Sequence, residues 1–346
     1  MSGRALPWQM AWHAALYGPG GFYRSTEGPA GHFRTAGHAA ADVLARALIR
    51  LAASAGCHAV LDVGAGRGEL LTALAGAGPA LRLHGVDVVP RPDGLPPGVG
   101  WSVASPAADG SRRLPDDVPA DVLDGALVLG WELLDVVPCP ILEVDGDGVP
   151  RTVLVDRDGV ESLGDRPAAA ELEWCARWWP LASAPPGTRA EVGAGRDAAW
   201  SGIAACVRRG LLLAVDYAHT AADRPPSGSL AGFRSGRQVP PVPDGGCDIT
   251  AHLAVDATAA AVEAAGAGPA TLTNQREALL ALGVSARVPD RRDSSRGGSP
   301  ADLLADLSRA GQAAELLDAG GLGGFTGCAQ GVAIEVPEEL IAVARQ

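Results

Sequence analysis

The chain has 346 residues, is 47% hydrophobic and carries a formal net charge of −12, enough apolar material for one large core with a smaller unit attached. That acidity excludes a general nucleic-acid surface, which needs a clustered excess of cations; lysine is absent, so every positive side chain is an arginine or histidine. Cys57, Cys139, Cys175, Cys206, Cys247 and Cys328 are scattered without C-x-x-C spacing, so they read as reduced structural thiols and no metal site is expected. The opening MSGRALPWQMAWHAALYGPGG lacks the apolar run of a signal peptide, and no stretch approaches the roughly 20 apolar residues of a membrane span. The expectation is a cytoplasmic protein with no membrane or nucleic-acid partner.

In chain order, residues 1–58 read as a helical segment in two pieces, about 8–16 and 37–54. Between them lies the glycine-rich aromatic stretch YGPGGFYRSTEGPAGHFRT, expected to be a lid. Residues 59–138 then alternate strand, helix and strand: AVLDVG, RGELLTALAGAG, LRLHGVDVV. Further strands are expected at 99–103 and 125–130. This predicts an α/β fold, a parallel sheet with helices on both faces. Residues 139–209 form an insertion, with a hairpin in ILEVDGDGVPRTVLVDRDG turning at Asp147-Gly148 and a helix over 167–179. The remainder, 210–346, returns to the sheet with strands at 211–216 and 325–336. VPDRRDSSRGGSP, 288–300, is too polar to pack and is expected to be a mobile loop.

The densest chemistry lies in AVLDVGAGRGELLTAL. Its glycines Gly64, Gly66 and Gly68 are spaced G-x-G-x-G, and Glu69 stands where a dinucleotide fingerprint has its third glycine. An acid there opposes a pyrophosphate. A P-loop is excluded for want of its lysine. S-adenosylmethionine instead carries a sulfonium and an ammonium, which suit a glycine turn between Asp62 and Glu69. The next strand ends at Asp87, 23 residues after Gly64, where a carboxylate can accept bonds from both ribose hydroxyls. A second VGAGR, in AEVGAGRDAAW, has no apolar strand before it and reads as a helix entrance; a substrate-side contact by Glu191 or Arg196 is the alternative.

LDGALVLGWELLDVVP stops at Gly130 and delivers Glu132 and Asp135, three residues apart, to the carboxyl edge where open α/β sheets hold ligands. Two carboxylates there need a cation or a donor. The alternative is helix capping by Asp135 and a rim ion pair by Glu132.

ALYGPGGFY, HFRT, LDVGAGRGELL, GWELLDVVP, LLLAVDY, GCDITAHL, TNQREALLALG and GLGGFTGCAQ follow one another from about Leu16 to Gln330. In that order they resemble the MidA family of class I S-adenosylmethionine-dependent methyltransferases, which includes a mitochondrial arginine methyltransferase needed for respiratory complex I assembly. The resemblance implies a Rossmann-like methyltransferase sheet, with an added helical and hairpin unit over the active site. The family's N-E-L-L-D is Trp131-Glu132-Leu133-Leu134-Asp135 here, and its G-D-F-x-T-S-P-E is Gly31-His32-Phe33-Arg34-Thr35-Ala36-Gly37-His38. Both departures fall on the acceptor side.

If the acceptor is a protein arginine, fully deprotonating its guanidinium at pH 7 costs at least about 7 kcal/mol. Glu132 and Asp135 then act as a clamp that orients one nitrogen toward the sulfonium methyl, and the proton leaves late. His252, or Asp216 and Tyr217, would assist proton transfer. Two other readings stay open: a small-molecule or different protein acceptor, and an assembly factor that binds S-adenosylmethionine with little turnover. The oligomeric state is not legible.

Overall fold

The computed structural model describes residues 5–25, 36–78, 80–106, 113–288 and 299–344. Most of the expected loop at 288–300, and residues 26–35 of the expected lid, lie outside them. The elements are β1 (Leu6–Pro7), α1 (Trp8–Tyr17), α2 (Ala36–Ser54), β2 (Ala59–Val63), α3 (Glu69–Gly76), β3 (Arg82–Asp87), β4 (Gly100–Val103) and β5 (Asp124–Trp131). Next come β6 (Ile141–Val144), β7 (Pro150–Val155), β8 (Glu161–Leu163), α4 (Ala169–Trp178), β9 (Arg189–Glu191), α5 (Ala194–Ala204), β10 (Arg209–Asp216) and β11 (Ala218–His219). The remainder is β12 (Ala231–Arg234), β13 (Arg237–Val239), β14 (Asp248–Thr250), β15 (Leu253–Ala254), α6 (Val255–Ala264), β16 (Thr271–Asn274), α7 (Gln275–Ala281), α8 (Pro300–Leu316), β17 (Thr326–Val332) and α9 (Glu338–Ala344).

Seven strands form the main sheet in the order β16-β17-β10-β5-β2-β3-β4. From β10 across to β4 every pair is parallel, whereas β17 runs antiparallel to both β10 and β16. The strand read at 325–336 is therefore β17, and it is a reversed strand wedged between two others. β2, β5 and β10 are apolar on both faces because helices cover both. Leu127 and Leu129 of β5 pack with α2, α3 and α8, while Ala126 and Val128 pack with Trp200 of α5 and Val262 of α6. The order of connection reverses between β2 and β5, which opens a crevice beyond their carboxyl ends.

The insertion forms a second, antiparallel sheet, β1-β7-β6-β9 with β8 on the edge of β7. The hairpin turns at Asp147-Gly148, where Gly148 has φ +77, and α4 occupies most of 167–179. Leu6 pairs with Val155, so the N-terminal segment joins the insertion through an edge strand. Trp12 Nε1 donates to the Ile249 carbonyl at 2.8 Å, and Tyr17 OH to the Val136 carbonyl at 2.9 Å. Phe22 is 1% exposed. The described part of the glycine-rich stretch is thus pinned to the core. A third, three-stranded sheet, β13-β12-β14, had no sequence expectation and carries Asp248 beneath Tyr23.

In the second VGAGR, α5 begins at Ala194, as expected, but β9 precedes it and pairs with β6. Arg196, 1% exposed, donates to the carbonyls of Val137, His252 and Asp135; Glu191 accepts from Ser229 and Leu230. Arg196 thus ties the turn after β5 to His252, and Glu191 ties β9 to the segment before β12. All six cysteines are free, no helix among the described residues is long and apolar enough to cross a membrane, and those residues hold no metal-binding group of His, Cys, Asp and Glu.

Candidate active site

Gly64, Gly66 and Gly68 all take positive φ, +81, +59 and +78, a region that L side chains enter at a cost of about 1 kcal/mol or more. Their surroundings differ. A Cβ on Gly64 would meet Leu133 Cδ1 at 2.8 Å and one on Gly68 would meet Leu95 Cδ1 at 2.5 Å, so those glycines allow packing. One on Gly66 would find nothing closer than Glu69 Oε2 at 3.7 Å. Gly66 is the glycine that keeps the crevice open.

Three acids converge on this turn. Asp62 is buried, and burial together with Asp87 and Glu69 pushes its carboxyl up to about 7. Asp87 Oδ2 accepts from Gly66 N at 2.8 Å, and Oδ1 accepts from Val88 N at 2.6 Å and Val89 N at 3.2 Å. Glu69 Oε2 accepts from Arg67 N at 3.3 Å. Accumulated negative charge opposes a pyrophosphate and suits an ammonium and a sulfonium, so these residues fit S-adenosylmethionine. The backbone donors of Gly66, Val88 and Val89 hold the Asp87 carboxylate against the glycine turn, where the sequence reading expects the ribose hydroxyls. Asp87→Ala should therefore weaken cofactor binding by about 2 kcal/mol, roughly 30-fold in Kd, read by calorimetry. Unchanged affinity with a lowered melting temperature would leave Asp87 as a brace of the turn alone.

The neighbouring strand, β5, ends in a backbone irregularity. Glu132 has φ +51, and its N–H donates to the Val215 carbonyl at 2.8 Å, so β10 holds it in the left-handed region. Asp216 closes β10. Its Oδ2 accepts from Leu134 N at 2.8 Å and from Asp135 N at 3.3 Å, which fixes the turn that carries both Glu132 and Asp135. Asp135 is buried and raised to about 6 by burial, against the lowering pull of Arg196. Burial, and then Asp135, hold Asp216 well above the ordinary carboxylate range. The same causes act on Asp248, whose carboxylate accepts from Tyr23 OH at 3.1 and 3.0 Å.

Glu132 and Asp135 thus sit together at the carboxyl edge, and both act electrostatically on Tyr217 and Asp248. His252 stands one residue away: its ring stacks on Tyr217 with centroids 5.4 Å apart, and burial lowers its pKa. Asp248 and Tyr23 are the members that sequence reasoning did not assign to the site. Asp248 lay within GCDITAHL without a role, and Tyr23 was counted only as a lid aromatic.

Residues 111–273, under half of the chain, match the model of a family described as "Putative S-adenosyl-L-methionine-dependent methyltransferase". The match runs from before β5 through the insertion to β16. A COG1565 superfamily member from Burkholderia thailandensis, solved bound to S-adenosyl-homocysteine, superposes with a TM-score of 0.73 at 26% identity, covering 98% of this chain and 90% of its own. A native crystal structure of a COG1565 superfamily protein from the same organism gives 0.71 at 26% identity, covering 97% and 90%. No curated protein matches the chain. With the sheet order and the acidic glycine turn, these likenesses make the chain an S-adenosylmethionine-dependent methyltransferase of Rossmann-like α/β fold.

Proposed function

We propose that the protein is a MidA-type enzyme of the cytoplasm that methylates the guanidinium of a protein arginine, with Glu132 and Asp135 holding the acceptor. S-Adenosylmethionine supplies an electrophilic methyl group when bound; Asp62, Gly64, Gly66, Gly68, Glu69 and Asp87 are the residues that would hold it. The observation that carries the arginine reading is the acidity of the edge beside that turn. Glu132, Asp135, Asp216 and Asp248 converge near the ends of β5, β10 and β14; burial first, and then the negative charge of Asp135 and Glu132, raises Asp216 and Asp248, which a cationic acceptor relieves. Asp135 and Asp216 are 4% and 1% exposed. A cation must reach inward to them, which a long, slender side chain such as arginine does while covering its stem.

On this reading the carboxylate of Glu132 orients a guanidinium nitrogen and stabilises the positive charge through the transition state. His252, neutral and stacked on Tyr217, holds that ring in place. α1 and the antiparallel sheet β1-β7-β6-β9 form the acceptor-side unit, while α2 and α5 belong to the helical layers that cover the main sheet. The test is methyl transfer from radioactive cofactor to proteins of a lysate from a strain lacking the gene, with the modified residue read by mass spectrometry. Methylarginine supports the reading. Label on another residue or on a small molecule moves the acceptor elsewhere, and no transfer at all favours a cofactor-binding assembly factor.

A further inference from the structure

Asp216 ends β10 and Asp135 lies in the turn after β5, and the Asp135 N–H donates to Asp216 Oδ2 at 3.3 Å, which brings the two side chains together. Each has one oxygen, Oδ1, that is buried without a hydrogen-bond partner. Asp216 commits its other oxygen to the backbone of Leu134 and Asp135. The groups facing the pair are Glu132 and Tyr217 from the ends of β5 and β10, Asp248 of β14 with Tyr23 of the N-terminal segment, and Arg196 of α5. Arg196 gives its donors to three carbonyl oxygens, so it lends the pair a field and no hydrogen bond to either carboxyl. Two neighbouring carboxyls, each with a dry and unpartnered oxygen, cannot both ionise without a cation between them.

We propose that Asp135 and Asp216 form the floor of the acceptor site, sharing one proton when it is empty and releasing it when a guanidinium or alkylammonium group enters. The inference rests on the cationic-acceptor reading above. Charge balances across the exchange: a pair with one proton and one negative charge meets a monocation, and leaves as two carboxylates around that cation with one proton passed to solvent. The exchange also selects. A neutral isostere cannot displace the proton, so it meets a hydrogen-bonded acid pair and gains no ion pair.

The experiment titrates the full-length protein, saturated with S-adenosylhomocysteine, with a short glycine-rich arginine peptide at about pH 7 in two buffers of different ionisation enthalpy. About one proton should be released per peptide bound, and difference infrared spectra should lose a protonated-carboxyl band. The same peptide carrying citrulline should release none. In Asp216→Asn, whose amide oxygen can still accept from Leu134 and Asp135, release should vanish and affinity for the arginine peptide should fall at least about tenfold. Asp135→Asn should behave alike and serves if the first variant does not fold. Binding without proton release, unchanged release in both variants, or no binding of the arginine peptide to the wild type overturns the proposal. Methylarginine in the lysate assay without proton release would sink this inference alone, whereas the absence of both would sink the arginine reading itself.

Discussion

Glu132→Gln lowers kcat/KM by roughly 100-fold or more, about 2.7 kcal/mol of transition-state stabilisation, and leaves cofactor affinity almost unchanged. The substitution keeps the shape and reach of the side chain and removes only its charge, so the loss reports electrostatics at the acceptor. Glu132 sits at φ +51 with its N–H held by the Val215 carbonyl. A non-glycine residue there costs about 1–2 kcal/mol, strain of the kind that accumulates where a side chain must be aimed. Glu132→Gly should therefore lose activity at least as fully as Glu132→Gln while melting at the wild-type temperature or above it. Thermal melts and steady-state kinetics on the two variants check this together. A Glu132→Gln enzyme close to wild type would argue for a neutral acceptor, and a Glu132→Gly protein that melts lower would give the side chain a structural role.

Gly66→Val abolishes measurable cofactor binding in a chain that still folds. Gly64 and Gly68 would drive a new Cβ into Leu133 and Leu95, so their replacement confounds packing with binding. At Gly66 the same Cβ enters open space beside Glu69, and a branched side chain fills the volume through which a ligand approaches the backbone. The φ of +59 adds strain, which Gly66→Ala shares without the bulk. Calorimetry should show the alanine variant weakened and the valine variant silent, with circular dichroism confirming the fold of both. Retained affinity in a folded Gly66→Val protein would remove the turn from the cofactor site.

The strand, glycine turn, helix, strand and acid over 59–87 were legible because each depends on local chemistry. β2 is apolar but for Asp62, the three glycines have the left-handed conformations that favour glycine, and Asp87 closes the next strand. β5 and β10 were legible for the same reason, and with them Glu132 and Asp135 at the edge. What stayed hidden depends on pairing between distant segments. GFTGCAQGVAIEV shows a strand, but its reversed direction between β10 and β16 comes from the partners it finds. Leu6 and Pro7 are too short to signal a strand until Val155 and Leu154 pair with them. Asp248 enters the site because β14 pairs with β12 and presents it to Tyr23, 225 residues earlier in the chain. Asp216 was visible as an acid after an apolar strand. Its grip on the turn after β5 is a tertiary contact that no spacing announces.

A structure of the protein with S-adenosylhomocysteine and an arginine peptide tests the central claim most directly. The account predicts the thioether sulfur beside Gly66 and the guanidinium between that sulfur and the carboxylate of Glu132, with Asp135 and Asp216 beneath it. A cofactor seated away from the Gly64 to Gly68 turn, or a peptide bound with its guanidinium turned away from Glu132, would contradict it.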